Sequence, residues 1–301
     1  MDLWFTELQE KGLRLGLKVK DVLFCGKSQY QEICVYDTAT YGRTLVIDDV
    51  VMTTEKDEFV YHEMLVHVPM MAHPNPERVL VIGGGDGGAI REVLKHPSVK
   101  TAHLVEIDEM VIEASKKYLP QISFALADPR VKITVADGIE YLKTTSERYD
   151  VVIVDSTDPV GAAVGLFAED FYLSVRNALR PGGIHVCQTE TPWFYQELIG
   201  KIAGVFRKLF PVYRLYLAPV PTYPGSVWSF SMGSLEHSGD VVDPGRYASL
   251  GCKYYTPELH AACSVLPKFV RDIVGKGGAG RVPSAGTTGE ARPGARNPEE
   301  Q

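Results

Sequence analysis

A glycine-rich loop with an acid inside it is the feature of this sequence that points most directly to chemistry. In VLVIGGGDGGAIRE, residues 79–92, an apolar run leads into Gly83, Gly85 and Gly88, which fit the pattern G-x-G-x-x-G. Such loops usually let backbone N–H groups approach a pyrophosphate. Asp86 lies inside the loop, and its carboxylate would repel a phosphate. The ligand must therefore suit glycines and a negative charge together.

Further acids follow the next predicted strands. Glu106 is the next-to-last residue of AHLVEI, Asp137 follows VKITVA, and Asp155 and Asp158 follow VVIV. Ligands of an open parallel sheet bind outside the carboxyl ends of its strands, and the distance from the first glycine to Glu106 suits a carboxylate that accepts hydrogen bonds from a ribose. Each acid could instead be a helix cap or a turn residue. Because they recur at consecutive strand ends, we interpret them as one acidic site.

Carboxylates gathered in this way repel one another unless a cation neutralises them, and these segments suggest no cationic side chain for that purpose. His62 and His67 in HEMLVH are not at the i, i+4 spacing of a zinc helix, although a magnesium site stays open. The other candidate is an organic cation, a sulfonium or an amine. An adenosine-type ligand with a positive charge fits both Glu106 and Asp86, whereas the pyrophosphate of NAD would face Asp86.

Composition narrows the class of protein. The chain has 301 residues, of which 45% are hydrophobic, and a formal net charge of -7, so nothing resembles a basic nucleic-acid-binding surface. No apolar run is long enough for a membrane span, and the N-terminus lacks the apolar core of a signal peptide. The cysteines are odd in number and form no C-x-x-C pair, which predicts no disulfide framework and a reduced, cytoplasmic, soluble protein. They are Cys25, Cys34, Cys187, Cys252 and Cys263.

The elements that must position these residues are predicted in two groups. Short strands fill residues 1–53 as a small β domain, and a helix with apolar residues at i, i+3, i+4 and i+7 follows from Tyr61. From residue 79, strands and helices alternate, which is typical of a doubly wound α/β sheet within a catalytic domain at 54–274. The last helix is predicted over 257–273. Residues 275–301, rich in glycine and proline, are predicted to be a disordered tail.

The sequence resembles the polyamine aminopropyltransferases of the spermidine synthase type. The motifs that carry the resemblance are YGRTLVIDD, TTEKDEFVYHEM, HPNPERVLVIGGGDGG, EIDEMVIEASKKYLP, DSTDPVG, PTYPG and KYYTPELHAA…LPKF, from about residue 20 to 272. The resemblance implies a Rossmann-like, methyltransferase-type sheet and a homodimer or homotetramer. It also implies aminopropyl transfer from decarboxylated S-adenosylmethionine to an amine, usually putrescine, with no metal and no further cofactor.

The resemblance also implies roles for individual residues. Asp155 would accept the proton of the attacking amine, with Tyr61 orienting the nitrogen and Asp158 beside them. The segment from Pro159 to Phe167 would gate the site. The donor would be bound by Gln31, Gly83, Gly85, Asp86, Glu106, Asp137, Gly138 and Ala162. The amine would be bound by Met52, His62, Asp155, Asp158, Gln188 and Tyr223.

Three residues depart from the usual family pattern. Met52 replaces a glutamine, which makes a different or longer diamine conceivable because Met is apolar. Ala162 replaces a proline of the gate, and Asp49 replaces a glycine of a turn. Other amines such as cadaverine, agmatine or spermidine therefore stay alternatives. Among other functions, a methyltransferase that uses intact S-adenosylmethionine is the main rival, followed by a non-catalytic polyamine-binding module and a dehydrogenase.

Overall fold

The N-terminal segment forms an antiparallel sheet. The computed structural model describes residues 2–157, 165–240 and 242–276. Five strands pair in sequence order. Ile33, Val35 and Leu45 are buried against Val111 and Ala114, so this sheet packs on the larger unit that follows. The strands are β1 Leu3–Glu10, β2 Leu13–Lys27, β3 Glu32–Thr38, β4 Gly42–Ile47 and β5 Val50–Thr54.

One disulfide bond crosses this sheet, which corrects the expectation that the cysteines form none. Cys25 on β2 and Cys34 on β3 lie directly opposite each other in the antiparallel register, with their Cα atoms 4.1 Å apart, and their sulfurs are bonded. The spacing in sequence carries no signature of such a pair, because the register of the hairpin decides which residues face each other. The expectation of a fully reduced chain is therefore wrong for these two residues.

The second sheet has seven strands in the order β11-β12-β10-β9-β6-β7-β8. The five strands β10, β9, β6, β7 and β8 are parallel to one another. Strand β12 runs antiparallel to both of its neighbours, β10 and β11. The near-continuous apolar runs of the central strands β6 and β9 are buried on both faces, as is usual in parallel sheets. The strands are β6 Arg78–Gly83, β7 Thr101–Glu106, β8 Val131–Val135, β9 Tyr149–Asp155, β10 Leu179–Gln188, β11 Val212–Ala218 and β12 Trp228–Ser234.

Helices cover both faces of this sheet, which confirms the doubly wound α/β class. The prediction of one last helix over 257–273 is wrong, because the structure has two helices there. The first ends before Cys263 and the second begins after Pro267, whose ring nitrogen cannot donate the hydrogen bond that a continuous helix requires. The helices are α1 Glu58–Ala72, α2 Gly88–Leu94, α3 Glu109–Tyr118, α4 Pro120–Ser123, α5 Gly138–Thr144, α6 Glu169–Ala178, α7 Gln196–Leu209, α8 Pro244–Tyr247, α9 Pro257–Ala262 and α10 Lys268–Lys276.

Helix α1 is buried on nearly all of its sides. Its apolar residues, such as Met64 and Leu65, belong to the main core between α1, α2 and the sheet. It also carries buried polar residues, among them Glu58, His62 and Glu63. Because polar side chains are buried only where they find partners, these residues indicate either structural contacts or a functional site inside the fold. Among the described residues, no helix has the length and apolar character needed to cross a lipid bilayer.

Candidate active site

The strand order of the second sheet places the candidate site at the carboxyl ends of the neighbouring strands β6 and β9. These strands are neighbours in space, but the connections that leave them run to opposite sides of the sheet. Such a switch point opens a crevice at the carboxyl ends of the two strands. Gly83 at the end of β6 is in register with Asp155 at the end of β9. The glycine loop and the candidate base are therefore brought together by strand pairing.

The glycines of the loop leave room for the side chains around them. A Cβ atom on Gly84 would lie 2.6 Å from Oδ2 of Asp155, and one on Gly88 would lie 2.2 Å from the ring of His62. Any side chain at these two positions would displace the candidate site residues. The loop is therefore more than a turn, because side chains from β9, α1 and β7 all pack directly against its glycines.

Asp155 and Tyr61 form the centre of the site. The hydroxyl of Tyr61 donates to Oδ1 of Asp155 at 2.7 Å. The second oxygen, Oδ2, is buried and has no hydrogen-bond partner within residues 2–157, 165–240 and 242–276. Burial raises the pKa of Asp155 to about 6, against the opposing effects of the His62 charge and the Tyr61 hydrogen bond. A carboxylate of this kind is suited to accept a proton near neutral pH.

The site contains cations of its own, which corrects the expectation of an acidic cluster without a cationic side chain. Nδ1 of His62 lies 2.6 Å from Oε2 of Glu58, and its Nε2 lies 3.5 Å from Oδ2 of Asp86. Burial disfavours charge on His62, but Asp86 and Glu58 outweigh it and raise its pKa well above the usual range. Arg91 donates to both oxygens of Glu58, at 3.0 and 2.8 Å. Asp86 is thus ionised, with a pKa that burial would raise but His62 lowers.

A second group of polar residues lies at the end of β7. Glu106 is buried and accepts from the backbone N–H of Gly85 at 3.1 Å and of Asp108 at 3.0 Å. Burial raises its pKa to about 7, although these backbone hydrogen bonds oppose the shift. Gln31, just before β3, donates to Asp108 at 3.0 Å, so the N-terminal sheet reaches this end of the site.

The remaining predicted donor residues differ in their placement. Asp137 is exposed and caps α5, where its Oδ1 accepts from the backbone of Ile139 at 2.7 Å. Gly138 is buried close to Ile82, the residue before Gly83, so the start of α5 adjoins the glycine loop. Asp158, Ala162 and most of the predicted gate lie outside the described residues.

An aromatic cavity lies beside Tyr61 and Ser156, the hydrogen-bond partner and the chain neighbour of Asp155, on the side of the N-terminal sheet. The rings of Tyr61 and Tyr223 have centroids 5.5 Å apart, and Trp228 packs edge-on to Tyr223 at 4.7 Å. The Tyr223 hydroxyl donates to the carbonyl of Met52 at 2.6 Å, so β5 closes one wall. Residues that line the cavity include Met52, Tyr61, Thr157, Gln188, Tyr223 and Trp228.

Sequence reasoning did not single out several residues that the fold brings to this region. Glu58 and Arg91 are the clearest, and the i, i+4 spacing of Glu58 and His62 on one helix was the available signal. Glu7 on β1 is buried, and its Oε2 accepts from the backbone of Val51, at 3.2 Å, beside Met52. The available signal for Glu7 in the sequence was an acidic residue two positions after Phe5, on the face of β1 that is buried. Trp193, by contrast, stacks on Phe269 at 4.8 Å and remains half exposed, which agrees with a packing role.

This sheet and this site together define a group-transfer enzyme with a methyltransferase-type fold. The Spermine/spermidine synthase domain family matches residues 58–241, and the spermidine synthase tetramerisation domain family matches residues 3–55. The chain belongs to the spermine/spermidine synthase family, and it is an enzyme, an aminopropyltransferase of the spermidine synthase type. The resemblance of the sequence to that family is thereby confirmed.

Individual relatives agree with the family assignment. The polyamine aminopropyltransferase of Thermoanaerobacter sp. (strain X514) is 55% identical over 273 residues, which cover 91% of this chain and 99% of the relative. That of Shouchella clausii is 50% identical over 274 residues, with 91% and 100% coverage. The crystal structure of spermidine synthase from Thermotoga maritima has a TM-score of 0.86 at 42% identity, covering 91% of this chain and 94% of that one. A spermidine synthase in complex with the transition state analogue AdoDATO gives the same score and identity, with 91% and 95% coverage.

Proposed function

We propose that this enzyme transfers the aminopropyl group of decarboxylated S-adenosylmethionine to putrescine, giving spermidine and methylthioadenosine. The observation that carries the proposal is the buried Oδ2 of Asp155, which has no hydrogen-bond partner among the described residues. Tyr61, which donates to the other oxygen of this carboxylate, lines an aromatic cavity. A protonated amine in that cavity would supply the missing donor. The assignment of putrescine follows the family to which the chain belongs.

In this proposal, the donor lies along the carboxyl ends of β6 and β7. Glu106 accepts hydrogen bonds from the ribose, which suits its position beside Gly85. Gln31 contacts the nucleoside from the N-terminal sheet. Asp137 and Gly138 contact the adenine, and Ala162 is expected to contribute from the gate. The donor's ammonium is bound by Asp86, whose ionised carboxylate lies within 4.8 Å of Asp155.

The amine occupies the aromatic cavity. Ring faces of Tyr61, Tyr223 and Trp228 attract an ammonium group by cation–π interaction and also suit a polymethylene chain. Gln188 offers polar contacts, and its Nε2 donates to the Ser156 carbonyl at 3.3 Å. Met52 lines the cavity without a charge, so the far ammonium of a diamine needs an acid beyond it. Glu7, buried behind β5, is the acid that the fold supplies in this direction.

The reaction is an in-line displacement. The amine nitrogen forms a bond to the carbon next to the sulfonium, the carbon–sulfur bond breaks, and its electron pair neutralises the sulfur. The leaving group is already activated by its positive charge, but an ammonium has no lone pair with which to attack. Asp155 therefore takes one proton from the amine, with Tyr61 orienting the nitrogen, and such general-base help contributes roughly 10²–10⁴-fold. Positioning of the two reactants contributes a further large factor.

We also infer that the site uses an organic cation rather than a metal ion. One atom each of His62, Asp86 and Asp155 lie within 4.8 Å of one another, a distance that could suit a metal. However, both ring nitrogens of His62 already face carboxylates, Glu58 at 2.6 Å and Asp86 at 3.5 Å, so only the two aspartates are left to face a ligand. Two carboxylates can accept hydrogen bonds from an ammonium group, and the proposal includes no metal and no further cofactor.

Purified protein incubated with either decarboxylated or intact S-adenosylmethionine and a panel of amines tests the proposal. We expect methylthioadenosine and spermidine from the decarboxylated donor with putrescine. Formation of S-adenosylhomocysteine from the intact donor would identify a methyltransferase instead. We do not expect this product, because Asp86 would repel the carboxylate of intact S-adenosylmethionine. Product from cadaverine, agmatine or spermidine in preference to putrescine would correct the acceptor. Sedimentation analysis tests the homo-oligomer that the tetramerisation domain at residues 3–55 suggests.

A further inference from the structure

A row of buried charges of alternating sign runs away from Asp86 into the core between α1 and α2. His62 links Asp86 to Glu58, and Arg91 forms a bidentate pair with Glu58. Beyond them, Nε of Arg91 donates to Glu92 at 2.8 Å. The exposed side-chain fractions of His62, Glu58 and Arg91 are only 2%, 6% and 11%. These charges lie behind the groups that would touch a substrate.

A buried ion pair is a poor way to stabilise a fold, because desolvation offsets most of the attraction between the charges. Apolar residues at positions 58 and 91 could fill the same space between α1 and α2. The row is also not a random set, since each charge lies between partners of opposite sign and the last partner is Asp86 in the glycine loop. This continuity indicates that the row acts on the site.

We propose that Glu58, held in place by Arg91, is a positioning residue that keeps His62 doubly protonated and directed at Asp86, so that Asp86 stays ionised and oriented towards the donor's ammonium. This inference rests on the proposed function, because it assigns the partner of Asp86 to that donor. Glu58 itself touches no substrate in this arrangement.

The geometry leaves His62 little freedom. Its ring lies against Gly88, where a Cβ would approach within 2.2 Å, and edge-on to the ring of Tyr61 at 5.3 Å. One oxygen of Asp86 accepts from the backbone of Gly88 at 2.7 Å, and the other faces His62. Asp86 is therefore held from two sides in one orientation. The loss of either contact would let the carboxylate rotate.

The charge on His62 depends on groups from each element around it. Burial lowers its pKa, and Asp86 and Glu58 raise it by charge and hydrogen bonding. Burial would raise the pKa of Glu58, but His62 and, to a smaller extent, Arg91 lower it and keep Glu58 ionised. His62 in turn lowers the pKa of Asp155. The titratable and charged groups that face His62 directly or through Glu58 are Glu58 of α1, Asp86 of the glycine loop, Arg91 of α2, Asp155 of β9 and the hydroxyl of Tyr61.

The variant Glu58→Gln removes the anion and leaves a side chain of the same size. Without it, only Asp86 opposes the burial that favours neutral His62, so the pKa of His62 falls and Asp86 loses its charged partner as the pH rises. We expect kcat/KM for the donor to fall by about 10- to 100-fold at pH 8.5, the range expected for a lost charge-assisted hydrogen bond. The loss should be several-fold smaller at pH 6, where His62 regains its proton. Most of the change should lie in the donor KM rather than in kcat.

Glu63→Gln is the matched control. Glu63 is buried on the same helix, but it accepts from the backbone of Lys253, Tyr254 and Tyr255, away from the site. Both variants should lower the melting temperature, and only Glu58→Gln should change the pH dependence. A constant ratio of wild-type to Glu58→Gln kcat/KM at all pH values, or the same pH effect in Glu63→Gln, overturns the inference.

One further measurement keeps the test decisive if Glu58→Gln does not fold. In the unmodified protein, 15N NMR of labelled histidines, assigned with His62→Gln, should show both His62 nitrogens protonated at pH 8. A neutral ring there refutes the inference. Absence of aminopropyl transfer by the wild-type enzyme would instead refute the proposed function.

Discussion

Replacement of Asp155 by Asn gives the sharpest test of the mechanism, because it should lower activity without lowering stability. Asn keeps an oxygen for the Tyr61 hydroxyl, which now donates to Oδ1 at 2.7 Å, but it cannot accept a proton from the amine. We expect kcat to fall by roughly 10²–10⁴-fold, the usual contribution of a general base. Binding of methylthioadenosine, measured by calorimetry, should be nearly unchanged.

The stability side of this prediction follows from the pKa of Asp155. Burial raises that pKa from 3.8 to about 6, a difference of about two pH units, and each unit corresponds to about 1.4 kcal/mol. Since the folded-state pKa lies above the unfolded one, ionised Asp155 destabilises the folded protein by about 3 kcal/mol at pH 8 and by nothing below pH 4. The Asn variant should therefore have a higher melting temperature than the wild type at pH 8, and the gain should vanish as the pH falls.

Asp150→Asn is the control on the same strand. Asp150 is buried like Asp155, but it accepts from the backbone N–H groups of Glu77 and Arg78, both at 2.8 Å, and from Arg180. Its replacement should lower the melting temperature and leave kcat within a few-fold of the wild type. Turnover of Asp155→Asn within tenfold of the wild type would refute the assignment of the base. Loss of turnover together with a lower melting temperature would attribute the effect to misfolding instead.

The other predictions concern the donor, the acceptor and pH. Asp86→Asn should raise the donor KM by about tenfold or more, with a smaller effect on kcat, because a charged partner of the ammonium is lost; an unchanged donor KM in steady-state kinetics would contradict this. Tyr61→Phe removes the hydrogen bond to Asp155 and should lower kcat by about tenfold, while the pH of half-maximal kcat/KM moves upwards, since that bond favours the ionised form. Because burial raises the pKa of Glu106 to about 7, its ionised fraction grows about tenfold from pH 6 to pH 8. The affinity for methylthioadenosine, measured by calorimetry, should increase by about the same factor. Equal affinity at the two pH values would argue against ribose binding by this carboxylate. Met52→Gln should change the relative rates with diamines of increasing length, and an identical profile would dispose of a role for Met52 in specificity.

Much of the architecture was accessible from the sequence because local patterns carry it. Apolar runs followed by glycines and acids predicted the strands of the second sheet, and the sheet rule then placed Asp86, Glu106 and Asp155 at one edge. The structure agrees for these residues, since the register of Gly83 with Asp155 and the bond from Gly85 to Glu106 unite them around the glycine loop.

What the sequence could not supply was the set of partners that come from distant segments. The Cys25–Cys34 bond depends on the hairpin register. The break in the last helix, by contrast, had a local signal in Pro267 that the prediction overlooked. More important for function, the expectation that no cationic side chain lies near Asp86 was wrong, because His62 and Arg91 are there. In the sequence, Arg91 and Glu58 look like ordinary helix residues, and only the packing of α1 against α2 brings them together.

The sequence by itself therefore determined which chemical groups the enzyme has and at which strand ends they lie, because strand and loop patterns act over a few residues. Only the tertiary structure decided their charge states. The pKa of Asp155 depends on burial and then on His62, which lies 93 residues away along the chain. The pKa of His62 depends on burial and then on Asp86, which lies 24 residues away. Such electrostatic effects act through space over a few ångströms, and folding alone brings those atoms within reach.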